Sequence, residues 1–200
     1  MILGSAVLTE CIYTGAIVAK HGEEYVQDLQ IGPNSIDVRL AEDALSLGAF
    51  GCVDPMDDNG SVYTQQTKFP KVLAPGDAIL GCTKERFIVS PAAKEVIVRY
   101  VPVLKDVDFS IVQEYHGRST CGRLFLASHV TAGFGDVGFR SAWTLEIVNL
   151  HPSLHLRLSP GMRIGQIQFS VVIGADKQYN GAYCSQHTAP LPPIIGSDRF

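Results

Sequence analysis

No two cysteines of this 200-residue chain lie close enough to form a C-x-x-C pair. Its five, Cys11, Cys52, Cys82, Cys121 and Cys184, are odd in number and scattered, which leaves no metal-type pair and reads as free thiols in a reducing compartment. Runs of Lys or Arg longer than two are missing, and the net charge is −4. A nucleic-acid polymer is therefore a poor partner, whereas a small phosphorylated ligand, which needs only a few local cations, stays open. The opening MILGSAVLTECIYTGAIVAK lacks a basic stretch ahead of its apolar residues and is interrupted by Glu10. Neither a signal peptide nor a membrane span is expected there, and the cytoplasm is the default location. Repeats, low-complexity tracts and internal linkers are also missing. At 46% hydrophobic and 18% charged residues the chain is not disordered, and residues 1–200 are read as one domain able to bury its own core.

Helical periodicity is scarce, with short helices expected only at residues 5–14 and 119–123. What is present is the two-residue alternation of half-buried strands. Leu154, Leu156 and Leu158 alternate with His155 and Arg157, and Ile167, Phe169 and Val171 alternate with Gln166, Gln168 and Ser170. Similar runs predict strands at 35–40, 78–83, 86–89, 95–100 and 142–149. Turns are signalled by Asp58-Asn59-Gly60, Pro75-Gly76-Asp77 and Ser159-Pro160-Gly161. The pattern predicts an all-β barrel or sandwich with minor helix. Residues 42–68 look like an excursion from it. Residues 177–200, with Pro190, Pro192 and Pro193, look like an extended arm that lies across a neighbouring subunit or closes over a ligand.

Two groups of residues carry chemistry. Arg118, Ser119, Thr120 and Arg123 set two guanidiniums and two hydroxyls within six residues, a set able to grip phosphate oxygens, although an ordinary turn with surface arginines would look the same. Downstream, two glycines flank Phe134, which would permit close backbone approach to a flat ligand, and Asp136 could accept from a sugar hydroxyl. Glu146 stands mid-strand, sharing a face with Thr144 and Val148 while Trp143, Leu145 and Ile147 point the other way. It is either a solvent-facing glutamate or a carboxylate with a partner or a task, and Arg123 would be a natural partner if the two strands meet.

The run HGRSTCGRLFLASHVTAGFGDVGFRSAWTLEIVN (116–149), followed by PGMRIGQIQF, resembles the signature region of the dCTP deaminases, members of the dUTPase-like trimeric superfamily. IGPNSIDVRL (31–40) and LAPGDAILGCTKERFIVSP (73–91) resemble earlier segments of that family in the same order. The resemblance implies a mainly β fold, a dUTPase-like distorted β-barrel (β-clip) with a few short helices. It also implies a homotrimer with shared active sites, for which apolar strand faces near Trp143 are expected at the subunit interfaces.

The roles it implies are specific. Glu146 would shuttle protons, Arg123 would orient the site and interact with that glutamate, and Ser119 would help position the hydrolytic water. Arg118, Ser119 and Thr120 would contact the phosphates. Val130, Thr131 and Ala132 would line the base through backbone groups, Asp136 would hold the deoxyribose, and Phe139 stands where the family places a bulky residue. Thr144 and Leu145, beside Glu146, complete the substrate-binding strand. Tyr179, Tyr183 and Gln186 would close on the triphosphate. The family usually carries a lysine just before the tyrosine matched by Tyr183; here that position is Ala182, with Lys177 the nearby cation that could replace it.

The implied reaction is hydrolytic deamination of dCTP to dUTP and ammonia, with Mg²⁺ arriving on the substrate triphosphate and no metal held by protein side chains. Zinc deaminases use an H-x-E element with a P-C-x-x-C pair; His21-Gly22-Glu23 is present here without any C-x-x-C, so the zinc route is rejected. Three other readings stay open: a bifunctional enzyme that also cleaves the triphosphate to give dUMP and pyrophosphate, a plain dUTPase, and a non-catalytic nucleotide-binding regulator.

Overall fold

The computed structural model describes residues 1–21, 24–25, 28–48, 52–56, 63–181, 183–184 and 189–194. In chain order its elements are α1 (Ser5–Tyr13), β1 (Ile17–His21), β2 (Glu24–Tyr25), β3 (Ile36–Arg39), β4 (Asp43–Gly48), β5 (Tyr63–Lys68), β6 (Lys71–Leu73) and β7 (Ala78–Val89). Then come α2 (Ala92–Tyr100), β8 (Phe109–Gly117), α3 (Ser119–Arg123), β9 (Leu126–Ala127), β10 (Phe134–Gly135), β11 (Ala142–Asn149), β12 (Leu156–Leu158) and β13 (Arg163–Ile173).

All strand pairs among the described residues are antiparallel. One sheet runs β2-β1-β7-β11-β9, with β4 also on β7 and β5 beyond it. A second runs β10-β8-β13-β3, and β12 pairs with β6. The core lies between the two large sheets, where Phe87 of β7 meets Phe169 of β13 edge-on at 5.4 Å. Sheet edges of this kind, wrapped on each other with three short helices, make the mainly β architecture that the strand pattern predicts.

The turn signals at Pro75-Gly76-Asp77 and Ser159-Pro160-Gly161 hold, because Gly76 (φ 85°) and Gly161 (φ 80°) occupy the left-handed region that favours glycine. Asp58-Asn59-Gly60 lies outside the described residues. The predicted strands at 78–83 and 86–89 are one continuous strand, β7, central in its sheet and buried along much of its length. Residues 42–68 are no excursion: β4 and β5 form a hairpin that joins the sheet through Leu45 and Leu80.

Two expectations are corrected, and one strand was missed. Residues 95–100 are helical, within α2, because Ala93, Val96 and Ile97 fall at helical spacing and bury one face against α1. The β-branched Val96, Ile97 and Val98 mimic a strand when read alone. Strand β8 was not foreseen, because a polar residue sits at one of its core positions. Gln113 is buried, and its amide donates to the carbonyls of Phe87 (3.3 Å) and Phe139 (2.9 Å). The face bearing Trp143, Leu145 and Ile147 is packed in the subunit's own core, so it is not free to make a subunit interface.

Candidate active site

Strand β11 supplies the centre of a cleft of ≈ 510 Å³. Its alternation resolves as expected, with Trp143, Leu145 and Ile147 buried and Thr144, Glu146 and Val148 half-buried on the other face. Glu146 and Thr144 line the cleft, together with Leu80, which stands directly across the strand pair from Glu146. Among the described residues one hydrogen bond holds the carboxylate on this wall: the Val130 backbone N–H donates to Glu146 Oε2 at 3.3 Å. The Val130 loop therefore reaches back over the strand that carries the acid.

The opposite wall comes from that loop and the turn after β10. Ala132, Phe134, Asp136 and Phe139 line it. Phe139 packs on the Trp143 ring at 4.9 Å between centroids and on Tyr179 at 6.4 Å, forming an aromatic floor. The two glycines here serve protein packing. A Cβ at Gly133 would lie 2.7 Å from the Tyr115 carbonyl oxygen, and one at Gly135 would lie 2.8 Å from the Trp143 indole. The loop can settle onto β8 and the indole only because both side chains are hydrogen.

The described part of the arm folds back as the third wall, through Tyr179, Tyr183 and Leu191–Pro193. It is tied down along its length. The Tyr179 N–H donates to the Val137 carbonyl (2.8 Å), Ser141 Oγ to the Tyr183 carbonyl (3.2 Å), and the Leu191 N–H to Thr144 Oγ1 (3.2 Å). Tyr183 Oη accepts from the Ile194 N–H at 2.9 Å.

The fold thus gathers Ala132, Asp136, Phe139, Thr144, Glu146, Tyr179 and Tyr183 into one cleft. Val130 and Thr131 are exposed at its rim. The Leu145 side chain is fully buried in the core, which leaves only its backbone for a ligand. Gln186 and Ala182 lie outside the described residues. Ser119, Thr120 and Arg123 sit on the exposed α3, apart from the cleft lining. The expected Arg123–Glu146 pair is not made within the chain, since α3 carries Arg123 outward into solvent. Arg118 is ion-paired instead with Asp37.

Sequence reading missed Leu80, Phe134, Ser141, Trp143 and Leu191 as lining residues. Leu80 becomes a neighbour of Glu146 only through the register of β7 on β11, which no local pattern encodes.

Comparison with known proteins bears on this geometry. A family model described as dCTP deaminase-like matches residues 106–172, the stretch from β8 through most of β13. The chain is 30% identical over 209 residues to a protein named dCTP deaminase from Halorubrum lacusprofundi, covering 99% of this chain and 93% of that one. The chain belongs to the dCTP deaminase family. A dCTP deaminase-family protein of Halobacterium salinarum, named dCTP deaminase, dUMP-forming, is 34% identical over 183 residues, with 86% of this chain and 84% of that one covered. The crystal structure of 2'-deoxycytidine 5'-triphosphate deaminase from Agrobacterium tumefaciens aligns with a TM-score of 0.57 at 18% identity. It covers 84% of this chain and 47% of that one, and the two share the same mainly β fold.

Proposed function

We propose that the chain binds dCTP with its base in the cleft beside Glu146 and hydrolyses the exocyclic amine, releasing dUTP and ammonia. The observation that carries this is Glu146 itself, a half-buried carboxylate on a largely apolar wall, fixed through one oxygen by the Val130 N–H. Its second oxygen is left for water. In this reading water adds to C4 of the base while Glu146 takes its proton and passes it to N3. A further proton transfer to the amine lets ammonia leave and the carbonyl form. One positioned carboxylate can move these protons in turn, worth about 10²–10⁴ in rate.

The cleft of one subunit holds Glu146, while Ser119 and Arg123 stand exposed on α3. We infer a homotrimer in which α3 of a neighbouring subunit completes each site, bringing Arg123 to Glu146 and Ser119 to the water. Closed cyclic assembly satisfies such a surface identically in every subunit. Mg²⁺ is proposed to travel with the triphosphate. Phosphate oxygens and water would be its ligands. The proposed location is the cytoplasm, in keeping with free thiols.

A second reading, deamination followed by release of pyrophosphate to give dUMP, is favoured by the likeness to the Halobacterium salinarum protein of that name. One assay decides. The purified protein is incubated with dCTP or with dUTP in Mg²⁺, and ammonia, dUTP, dUMP and pyrophosphate are quantified. Ammonia with dUTP supports the first reading, and ammonia with dUMP and pyrophosphate the second. No ammonia from dCTP would refute both.

A further inference from the structure

A charge cluster lies outside the cleft, on β3. Asp37, with only 17% of its side chain exposed, accepts from two arginines through the same oxygen, Oδ2. One is Arg118, at the mouth of α3; the other is Arg163, at the start of β13, at 3.2 Å. The register explains the meeting. Gly165 pairs with Gly117, so two residues further along the antiparallel ladder Arg163 comes beside the Arg118–Ser119 turn. An irregularity between Arg163 and Gly165 in the pairing with β3 re-aims that end of the strand. Arg39, opposite Arg163 in the pairing, is engaged elsewhere: its backbone N–H and Nε both donate to the buried Glu85.

We propose that Asp37 is a positioning residue that holds Arg118 and Arg163 side by side as a joint contact for the polyphosphate of a nucleotide, with Arg163 as a phosphate ligand. The proposal rests on the deaminase reading for the identity of that nucleotide. Two guanidiniums brought together repel each other, and a shared carboxylate offsets the repulsion while fixing both planes. Each guanidinium has five N–H donors, so one bond to Asp37 leaves the rest for phosphate oxygens. The trio keeps a net charge of +1, and the Arg163 side chain is 42% exposed, open to an incoming anion. Ser119 and Thr120, exposed at the start of α3, follow Arg118 directly in the chain.

The test uses inorganic tripolyphosphate with Mg²⁺, titrated calorimetrically into the full chain, alongside steady-state dCTP kinetics. Arg163→Gln is expected to weaken tripolyphosphate about tenfold, and to raise KM for dCTP by a similar factor with kcat held within about threefold. Asp37→Asn supplies the sharper readout. Removing a negative charge near an anion site would, by charge alone, tighten binding; loss of positioning weakens it, and Asp37→Glu should recover part of the loss. Arg163→Gln variants that melt like the parent yet bind tripolyphosphate unchanged would overturn the proposal. So would tighter binding by Asp37→Asn, or no tripolyphosphate binding by the parent protein. Failure of the parent to deaminate dCTP while it still binds tripolyphosphate through Arg163 would count against the deaminase reading alone.

Discussion

The Val130 amide and the Glu146 carboxylate stand 3.3 Å apart and join the cleft loop to the strand beneath it. Glutamine at position 146 keeps an oxygen acceptor for that amide, so the loop and the cleft should hold their shape. What glutamine cannot do is take a proton from water and return it. Glu146→Gln should therefore bind dCTP near normally in calorimetry and lose at least about 10²-fold in ammonia release. Near-normal turnover by a folded variant would make Glu146 structural.

Shared sites have a consequence that mixing can reveal. Arg123→Ala and Glu146→Gln should each be inactive alone. Unfolded together and refolded as random trimers, they should regain about one quarter of parental activity, the chance that an intact Glu146 faces an intact Arg123 on its neighbour. Light scattering should give a trimer throughout. Activity that never returns, or a stable active monomer, would contradict the composite site.

Gly165 sits under a phenol. Any Cβ there would fall on the ring and hydroxyl of Tyr115, which is 1% exposed and cannot step aside. Gly165→Ala should cost about 1–3 kcal/mol, seen as a lower urea midpoint at unchanged slope. A midpoint equal to the parent's would show that β8 and β13 have more slack than their packing indicates.

Buried thiols give the fold a dependence on alkaline pH. Burial, with a smaller push from Asp43, raises Cys82 from its ordinary 9.0 to about 12. Burial, then Glu10, raises Cys11 to about 11. The folded state keeps protons that the unfolded chain sheds above pH 9, so this stabilisation is complete below pH 9 and is lost as pH climbs toward those values. Above pH 9 the melting temperature should fall, with Cys82 contributing up to about 1.4 kcal/mol per pH unit. Cys82→Ala should flatten the fall, and an equally steep one would reject the assignment.

Chelation tests the proposed role of Mg²⁺. Excess EDTA should abolish dCTP turnover, and Mg²⁺ alone should restore it, while the melting curve without nucleotide stays put because the ion arrives with substrate. Restoration by zinc alone would revive the discarded zinc route.

Much of this protein was legible before folding. The alternation of 142–149 placed Glu146 opposite Trp143 and Leu145, and the structure keeps those two faces. The helices at 5–14 and 119–123 and two glycine turns were visible because periodicity and left-handed glycines are local properties of the chain. Tertiary structure decided the rest. Gln113 reads as a surface residue until its NH2 finds the Phe87 and Phe139 carbonyls, partners that only the packed core supplies to β8. Gly133 and Gly135 are small for the sake of Tyr115 and Trp143, neighbours that only the packed loop provides. Leu80 meets Glu146, and Asp37 meets Arg118 and Arg163, across separations of 66, 81 and 126 residues set by strand register. Register depends on the hydrophobic match of whole strands, a sum over distant residues that no window of the sequence contains.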